Sequence, residues 1–339
     1  DSSATGNMGT ADAMNEQGRP IAKLSISKEL TGKTVLAVLR TMRQGESWSR
    51  LRTQIQKGKV SLNDIVCIDD ARRVTLGDVI ALGEQSLTLP PTSSDVKIHY
   101  ADTHVVVVEK PAGMMTHRRP EERNWSSERK ARQLTLDESL IQLLLNRATQ
   151  RGQERPRGNL VRCVHRLDRD TSGLLVFARN ETAAEHLIGQ FRRHEVHRVY
   201  WAVVHGDPAD ETIITHIARD RGDGRRGSTG NQKIGQRAVT HVRRMQHFGK
   251  YSLVECRLET GRTNQIRIHL AEKGHLVCGD VKYRQPYSAE AINDISDAPR
   301  LALHAAELGF VHPISQEQVF FTMPFPEDLE QFVHRIGQR

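Results

Sequence analysis

The sequence predicts an α+β protein, with a mixed and largely antiparallel sheet flanked by helices and a small basic α/β module ahead of it. Three observations lead there. Strand-like runs and helical stripes interleave irregularly, without the strict alternation that marks a parallel α/β sheet. Hairpin-like pairs of runs dominate. The chain is 339 residues long, beyond one average domain, and 37% hydrophobic against 27% charged, so each of two domains can bury a core. No internal repeat is found.

Residues 1–22 are rich in Ser, Gly, Asn, Asp and Ala and have little to bury, which predicts a disordered tail. Residues 23–88 form the predicted module. Val35, Val38 and Leu39 make an apolar helical stripe, and a second helix carries Arg50, Arg52 and Lys57 around Leu51 and Ile55. A turn at Gly58, a strand around Val60 and Leu62, turn chemistry at Asn63-Asp64, and a Gly77-Asp78 turn before Val79 and Ile80 complete it. Residues 89–98 read as a linker, because Pro90, Pro91 and the small polar residues after them disfavour helix and sheet alike.

The larger domain is expected over residues 99–332. Its strand candidates are Val105–Val108, Leu174–Phe177, Trp201–Val204, Ser252–Leu258 and Val319–Thr322. In the Ser252 run, Val254, Cys256 and Leu258 alternate with Leu253, Glu255 and Arg257, as in a half-buried strand. Two helices are expected to open on capping boxes, Thr182-Ala183-Ala184-Glu185 and Thr135-Leu136-Asp137-Glu138.

Composition narrows the function classes. No apolar run reaches the eighteen residues of a membrane span, and the polar start lacks a basic stretch followed by an apolar core, so neither membrane insertion nor secretion is expected and the cytoplasm is the expected compartment. The four cysteines stand singly, without the spacing of a zinc site or a disulfide framework. A formal charge of +8 suits a polyanionic partner, since each phosphate neutralised by Lys or Arg releases counterions. Two loops concentrate that charge: Arg118 to Arg132 holds six basic residues against three Glu, and Arg219 to Arg237 holds six against two Asp with five glycines.

The run His165-Arg166-Leu167-Asp168-Arg169-Asp170-Thr171-Ser172-Gly173 carries the most chemistry. Short polar residues before an apolar strand make a tight loop, with Asp168 at its tip and Thr171 and Ser172 expected to satisfy its backbone groups. A carboxylate beside Arg166 and Arg169 is expected to stay ionised, which suits a nucleophile or base at an anomeric carbon. Taken alone, a local ion pair is the commoner meaning of Asp and Arg in a turn. A glycosidase needs two carboxylates across a sugar, and Asp168 and Asp170 stand too close in sequence for that. A metal site from His165, Asp168 and Asp170 lacks a further ligand.

Arg166-Leu167-Asp168 followed by Thr171-Ser172-Gly173 resembles the signature loop of the RluA-type pseudouridine synthases. Lys110-Pro111-Ala112-Gly113 is similar to that family's first motif, and Val199-Tyr200-Trp201-Ala202-Val203-Val204-His205-Gly206 to the segment bearing its active-site tyrosine. The stretch from Thr260 to Leu270, with Gly279-Asp280 downstream, is similar to its third motif, and Leu303-His304-Ala305 and Pro324-Phe325-Pro326 to its closing segment. The module ahead resembles the RNA-binding domain of small-subunit ribosomal protein four through Gly58 to Asn63 and Gly77-Asp78, with Asp64 where a glycine is usual.

The resemblance implies a pseudouridine synthase fold and an enzyme, expected to be a monomer, that isomerises uridine in RNA without cofactor or metal. Large-subunit ribosomal RNA is the expected substrate, with transfer RNA as the near alternative and a non-catalytic assembly factor as the distant one. It implies that Asp168 is the catalytic carboxylate, by attack on the anomeric carbon or by removal of a ribose proton. Tyr200 is implied to stack on the uracil, Arg267 to pair with Asp168 and hold it ionised, Leu303 to wall the base, and Arg166 to fill the vacated stack. Arg50, Arg52, Lys57, Lys59, Arg166 and Arg262 are the expected RNA contacts. Asn264 stands where the family usually has histidine, and Arg198 where it commonly has lysine. Neither departure is expected to touch the carboxylate chemistry. The insertion from Arg118 to Gly158 exceeds the family's minimum.

Overall fold

The computed structural model describes residues 12–14, 20–63, 65–83, 89–150, 152, 161–286 and 290–338. The chain divides into two units, Asp1–Pro90 with Asn124–Gln133, and Pro91–Arg123 with Leu134–Arg339.

Among the described residues, the first unit has five antiparallel strands, β1 (Asp12–Met14), β2 (Pro20–Ser25), β3 (Val60–Leu62), β4 (Ile65–Val66) and β5 (Val79–Leu82), in the order β1-β2-β5-β3-β4. Two helices cover them. In α1 (Val35–Met42) the Thr34 hydroxyl accepts from Ala37 N at 3.2 Å, and in α2 (Trp48–Gln56) Ser47 accepts from Arg50 N at 3.2 Å. Leu36, Val38, Leu39, Leu51 and Ile55 then bury one stripe against Val60, Ile80 and Leu82. Asn63, at φ 54°, makes the predicted turn and binds Asp78 and Val79 N at 2.8 Å each; Asp64 lies outside the described residues.

Two expectations change in this unit. Within the segment read as a disordered tail, β1 pairs with β2 in the register Asp12↔Ala22 to Met14↔Pro20; the remaining residues of that tail lie outside the described residues. Strand pairing is made by backbone groups, which a composition argument does not weigh. Residues 124–133, which the sequence places within the larger domain's span, cluster with the first unit through α3 (Ser127–Arg132). There the Arg129 guanidinium lies 3.7 Å over Trp125 and donates to the buried Asp69 at 2.9 and 2.7 Å.

Among the described residues, the second unit is built on eleven strands. They are β6 (Lys97–Ala101), β7 (Val105–Lys110), β8 (Arg162–Cys163), β9 (Ser172–Ala178), β10 (His197–His205), β11 (Glu211–Ala218), β12 (Gly227–Ser228), β13 (Gln236–Phe248), β14 (Tyr251–Leu258), β15 (Leu303–Val311) and β16 (Gln318–Thr322). The order is β12-β11-β13-β14-β10-β15-β9-β7-β6, with β16 on β15 and β8 on β9. Every pairing is antiparallel except β9 with β15. Side chains alternate between two cores: Val106, Val108, Leu175 and Phe177 enter one, and Val105, Val107, Leu174 and Val176 the other. Such strands are buried on both faces and read as continuous apolar runs, which is why the sequence showed them.

The sequence reading lacked β6, β8, β11, β12, β13 and β15; the longest of these is β13, whose Arg243 to Gln246 are exposed and break the apolar alternation. Among the described residues, the α-helices of this unit are α4 (Leu136–Gln150), α5 (Glu181–Arg192), α6 (Gln265–Glu272) and α7 (Glu327–Gly337). The start of α5 is capped by Asn180, which accepts from Ala183 N at 2.9 Å, and not by the expected box at Thr182. Glu138 is likewise taken from its expected capping role by Arg118, at 2.6 Å. The expected linker is structured from Thr92, whose N–H donates to Asp95 at 2.7 Å, and β6 starts within it at Lys97. Among the described residues no helix is long and apolar enough to cross a membrane.

Candidate active site

The one parallel contact of the sheet shapes the site. β9 and β15 meet at Ser172↔His304 and Gly173↔Ala305, where Gly173 has φ 119° and any Cβ would collide with the Ala305 backbone. That close approach sets the loop before β9 next to Leu303 at the start of β15.

The loop is held from outside. The Thr116 hydroxyl donates to Leu167 O at 2.9 Å and accepts from Leu167 N at 3.2 Å. Lys110 Nζ donates to Arg169 O at 2.8 Å, to Pro111 O at 2.9 Å and to Met114 O at 2.7 Å, and Gly113 N donates to Arg169 O at 2.8 Å. The motif around Lys110 is therefore a clamp on the Asp168 loop. The loop's own Ser172, expected to help, turns instead to His304 Nδ1 at 2.9 Å. Lys110 is fully buried, and burial draws its ammonium down to about 7 against the opposing pull of Asp170 and Asp168.

Asp168 sits at the floor of a cleft of about 520 Å³ lined by Arg166, Tyr200, Arg262, Asn264, Arg267 and Leu303 among others. One oxygen accepts from Asn264 N at 3.1 Å, and the residue is half-buried against the cleft. Burial raises its carboxyl above the ordinary range, while Arg267 and then Arg166 oppose that rise. The expectation that Arg166 and Arg169 keep it ionised is corrected in two ways. Arg169 pairs with Asp170 at 2.9 Å, and desolvation is the largest influence on Asp168.

The expected Arg267–Asp168 pair is also corrected. Arg267, 5% exposed, donates Nε and Nη2 to the two oxygens of Asp280 at 2.7 Å each, so it acts on Asp168 through space. Its Nη1 reaches Asn264 Oδ1 at 3.2 Å, and Asn264 Nδ2 donates to Tyr283 OH at 3.0 Å. Asn264 precedes α6 at φ 59°, a conformation that asparagine tolerates better than most residues. Asn264 therefore meets Asp168 through its backbone N–H and Arg267 through its side chain. Asp280 and Tyr283 were missed as site residues; the signal available was Gly279-Asp280, already noted in sequence but without a role.

The remaining expected residues divide. Tyr200, on β10, is 8% exposed and Leu303 3%, and both face the cleft. Burial, with Asp168 adding to it and Arg198 opposing, raises the Tyr200 phenol. Arg166 is exposed at the cleft; Arg262 is half-buried there and donates Nε to Arg237 O at 3.1 Å. Arg50, Arg52 and Lys57 are exposed on and just after α2 in the first unit, with Lys59 half-buried. Among the described residues one group has the makings of a metal site, His205, Cys278 and Asp294. Its carboxylate already accepts from His205, Ser296 and Gly279 N at 2.6 to 3.0 Å, which makes it a hydrogen-bonded strut.

Residues 104–272 match the family described as RNA pseudouridylate synthase. The chain is 34% identical to the ribosomal large subunit pseudouridine synthase D of Zymomonas mobilis, over 92% of this chain and 96% of that one. It is 35% identical to the uncharacterized RNA pseudouridine synthase YlyB of Bacillus subtilis, over 85% and 90%. Its fold is shared with human RNA pseudouridylate synthase domain containing 4, at TM-score 0.54 and 23% identity over 70% of this chain and 92% of that one. The chain belongs to the RNA pseudouridine synthase family and is an enzyme of that kind, acting on RNA.

Proposed function

We propose that this enzyme isomerises uridine in large-subunit ribosomal RNA with Asp168 as its catalytic carboxylate. The observation that carries the reading is the charge pattern of the cleft: Asp168 is the one carboxylate among its lining residues, against five arginines, Arg166, Arg192, Arg198, Arg262 and Arg267. Pseudouridine formation breaks the bond from ribose C1′ to uracil N1, turns the base and joins C5 to C1′. Attack by Asp168 on C1′, or removal of a ribose proton, each needs the carboxylate ionised in a site closed to water. The Asn264 N–H and the charge of Arg267 favour that form, while burial keeps the group reactive.

In this reading Tyr200 stacks on the uracil and stands where the C5 proton must leave. Leu303 walls the base, and Arg166, exposed at the rim, enters the stack that the extruded base vacates. The ribosomal assignment is supported by the relatives named for the large subunit, which align over nine-tenths of this chain and so include most of the first unit. The basic surface of α2 and Lys59 serves as a docking face for folded RNA. Carbodiimide mapping of pseudouridine tests this in a deletion strain complemented with the wild type or with Asp168→Asn. Loss of a large-subunit signal, restored only by the wild type, is expected. Retention of every signal in the deletion strain, or restoration by Asp168→Asn, overturns the reading, and loss confined to transfer RNA moves the substrate.

A further inference from the structure

The cleft does not end at Tyr200. It continues to the C-terminal end of α5, where Phe191, Arg192, His194, Arg198 and Gly261 line it. We propose that this extension is an anion subsite that holds a phosphodiester of the RNA strand beside the target uridine, with Arg198 as its inner anchor and Arg192 as its outer arm. The proposal rests on the reading of the cleft as the uridine site.

Arg198 carries most of the argument. Its Nη2 donates to the carbonyls of Leu258 and Glu259 at 3.3 and 3.0 Å, which fixes the guanidinium in place. Its Nε is buried with no hydrogen-bond partner, and among the described residues no carboxylate pairs with it. Arg198 as a whole is half-buried, and burial without a paired anion lowers its hold on its proton. Space for the head group is made by Gly261, since a Cβ there would come within 2.8 Å of Arg198 Nη1. A surface staple of two carbonyls needs neither the orphaned Nε nor that clearance.

The surroundings select a phosphate over a base. Phe191 is already stacked on His165 at 4.4 Å and faced by Arg198 at 5.6 Å, so its ring is engaged. His165 accepts from Val176 N at 3.1 Å, and burial with the nearby Arg198 draws it down to about 3, so it stays neutral and adds no charge. The charge therefore comes from Arg198 and from the exposed Arg192. The dipole of α5 alone would account for a basic residue in its last turn, but not for Arg198, which lies on β10.

The test is a double cycle between protein and RNA. A short RNA bearing the target uridine is made intact and with a neutral methylphosphonate in place of each phosphate flanking that uridine. Wild-type protein must first bind and isomerise the intact RNA; if it does not, the uridine-site reading fails by itself. Given that, one neutral linkage is expected to weaken wild-type binding about fivefold, Arg198→Gln to weaken binding of intact RNA by about the same factor, and the two changes together to cost no more than either. The slope of log affinity against log salt should become shallower by about 0.7 for Arg198→Gln. Losses that multiply at both linkages, or an unchanged slope, overturn the subsite. If Arg198→Gln fails to fold, the cycle is run with Arg192→Gln, where the same non-additivity is expected and simple multiplication of the losses is the overturning result.

Discussion

Arg267 in the cleft and Arg52 on α2 each hold an aspartate at nearly the same distance, 2.7 Å to Asp280 and 2.8 Å to Asp70. The surroundings differ. The side chains of Arg267 and Asp280 are 6% and 0% exposed, while Arg52 is 49% exposed. Water and salt screen the second pair, so its charge stays available to an incoming phosphate. The first pair has given up its hydration, and neither member can be removed without stranding the other. Equal distances thus describe two devices: a fixed internal field acting on Asp168, and a loosely held cation on the outside.

Removing the carboxylate on which that internal field acts should have the largest effect. Asp168→Asn is expected to lower the single-turnover rate by ~10³-fold or more, with RNA binding kept. Binding lost together with activity would instead make Asp168 a structural residue. Next comes the field itself: Asp280→Ala strands the Arg267 charge and should cost about 3–5 kcal/mol in urea unfolding. A double Arg267→Met, Asp280→Leu variant should regain much of that stability and none of the activity. Recovery of activity in the double variant would mean that the field is not needed.

A smaller effect is read against pH. Burial raises the Asp168 carboxyl in the folded protein above its unfolded value. Its contribution to stability is then complete below the unfolded value and is lost as pH rises through the folded one. Asp168→Asn should therefore be more stable than wild type at neutral pH, with the advantage disappearing in acid. The wild-type rate should fall on acidification through that raised value, and an acid limb in the ordinary carboxylate range would contradict it. The smallest effect is expected on α2. Arg52→Gln should leave the unfolding midpoint nearly unchanged while making the salt slope of RNA affinity shallower by about 0.7. An equal loss of stability at Arg52 and at Asp280 would erase the contrast between the two pairs.

The sequence carried the Asp168 loop, Tyr200, Leu303 and the motif around Lys110 because each sits in a short local run that resembles a motif of the family. It also carried β7, β9 and β14, whose apolar patterns record burial directly. What it could not carry was partnership. Nothing local says that Arg267 turns to Asp280, thirteen positions on, or that Lys110 reaches Arg169, fifty-nine positions on. The long strand β13 escaped for a related reason: its outward charges meet partners on β14, as Arg243 meets Glu255 at 2.8 Å, and such pairs leave no apolar period.

By itself, then, the sequence determined the α+β class, because turn chemistry and apolar period act over short stretches of chain, and the family, because its short motifs resemble that family's. Only the tertiary structure decided how Asp168 is tuned. Desolvation and the field of a distant arginine depend on which side chains the fold packs together, and the polar contact to the carboxylate is a backbone N–H, from Asn264, that any residue type but proline could have supplied.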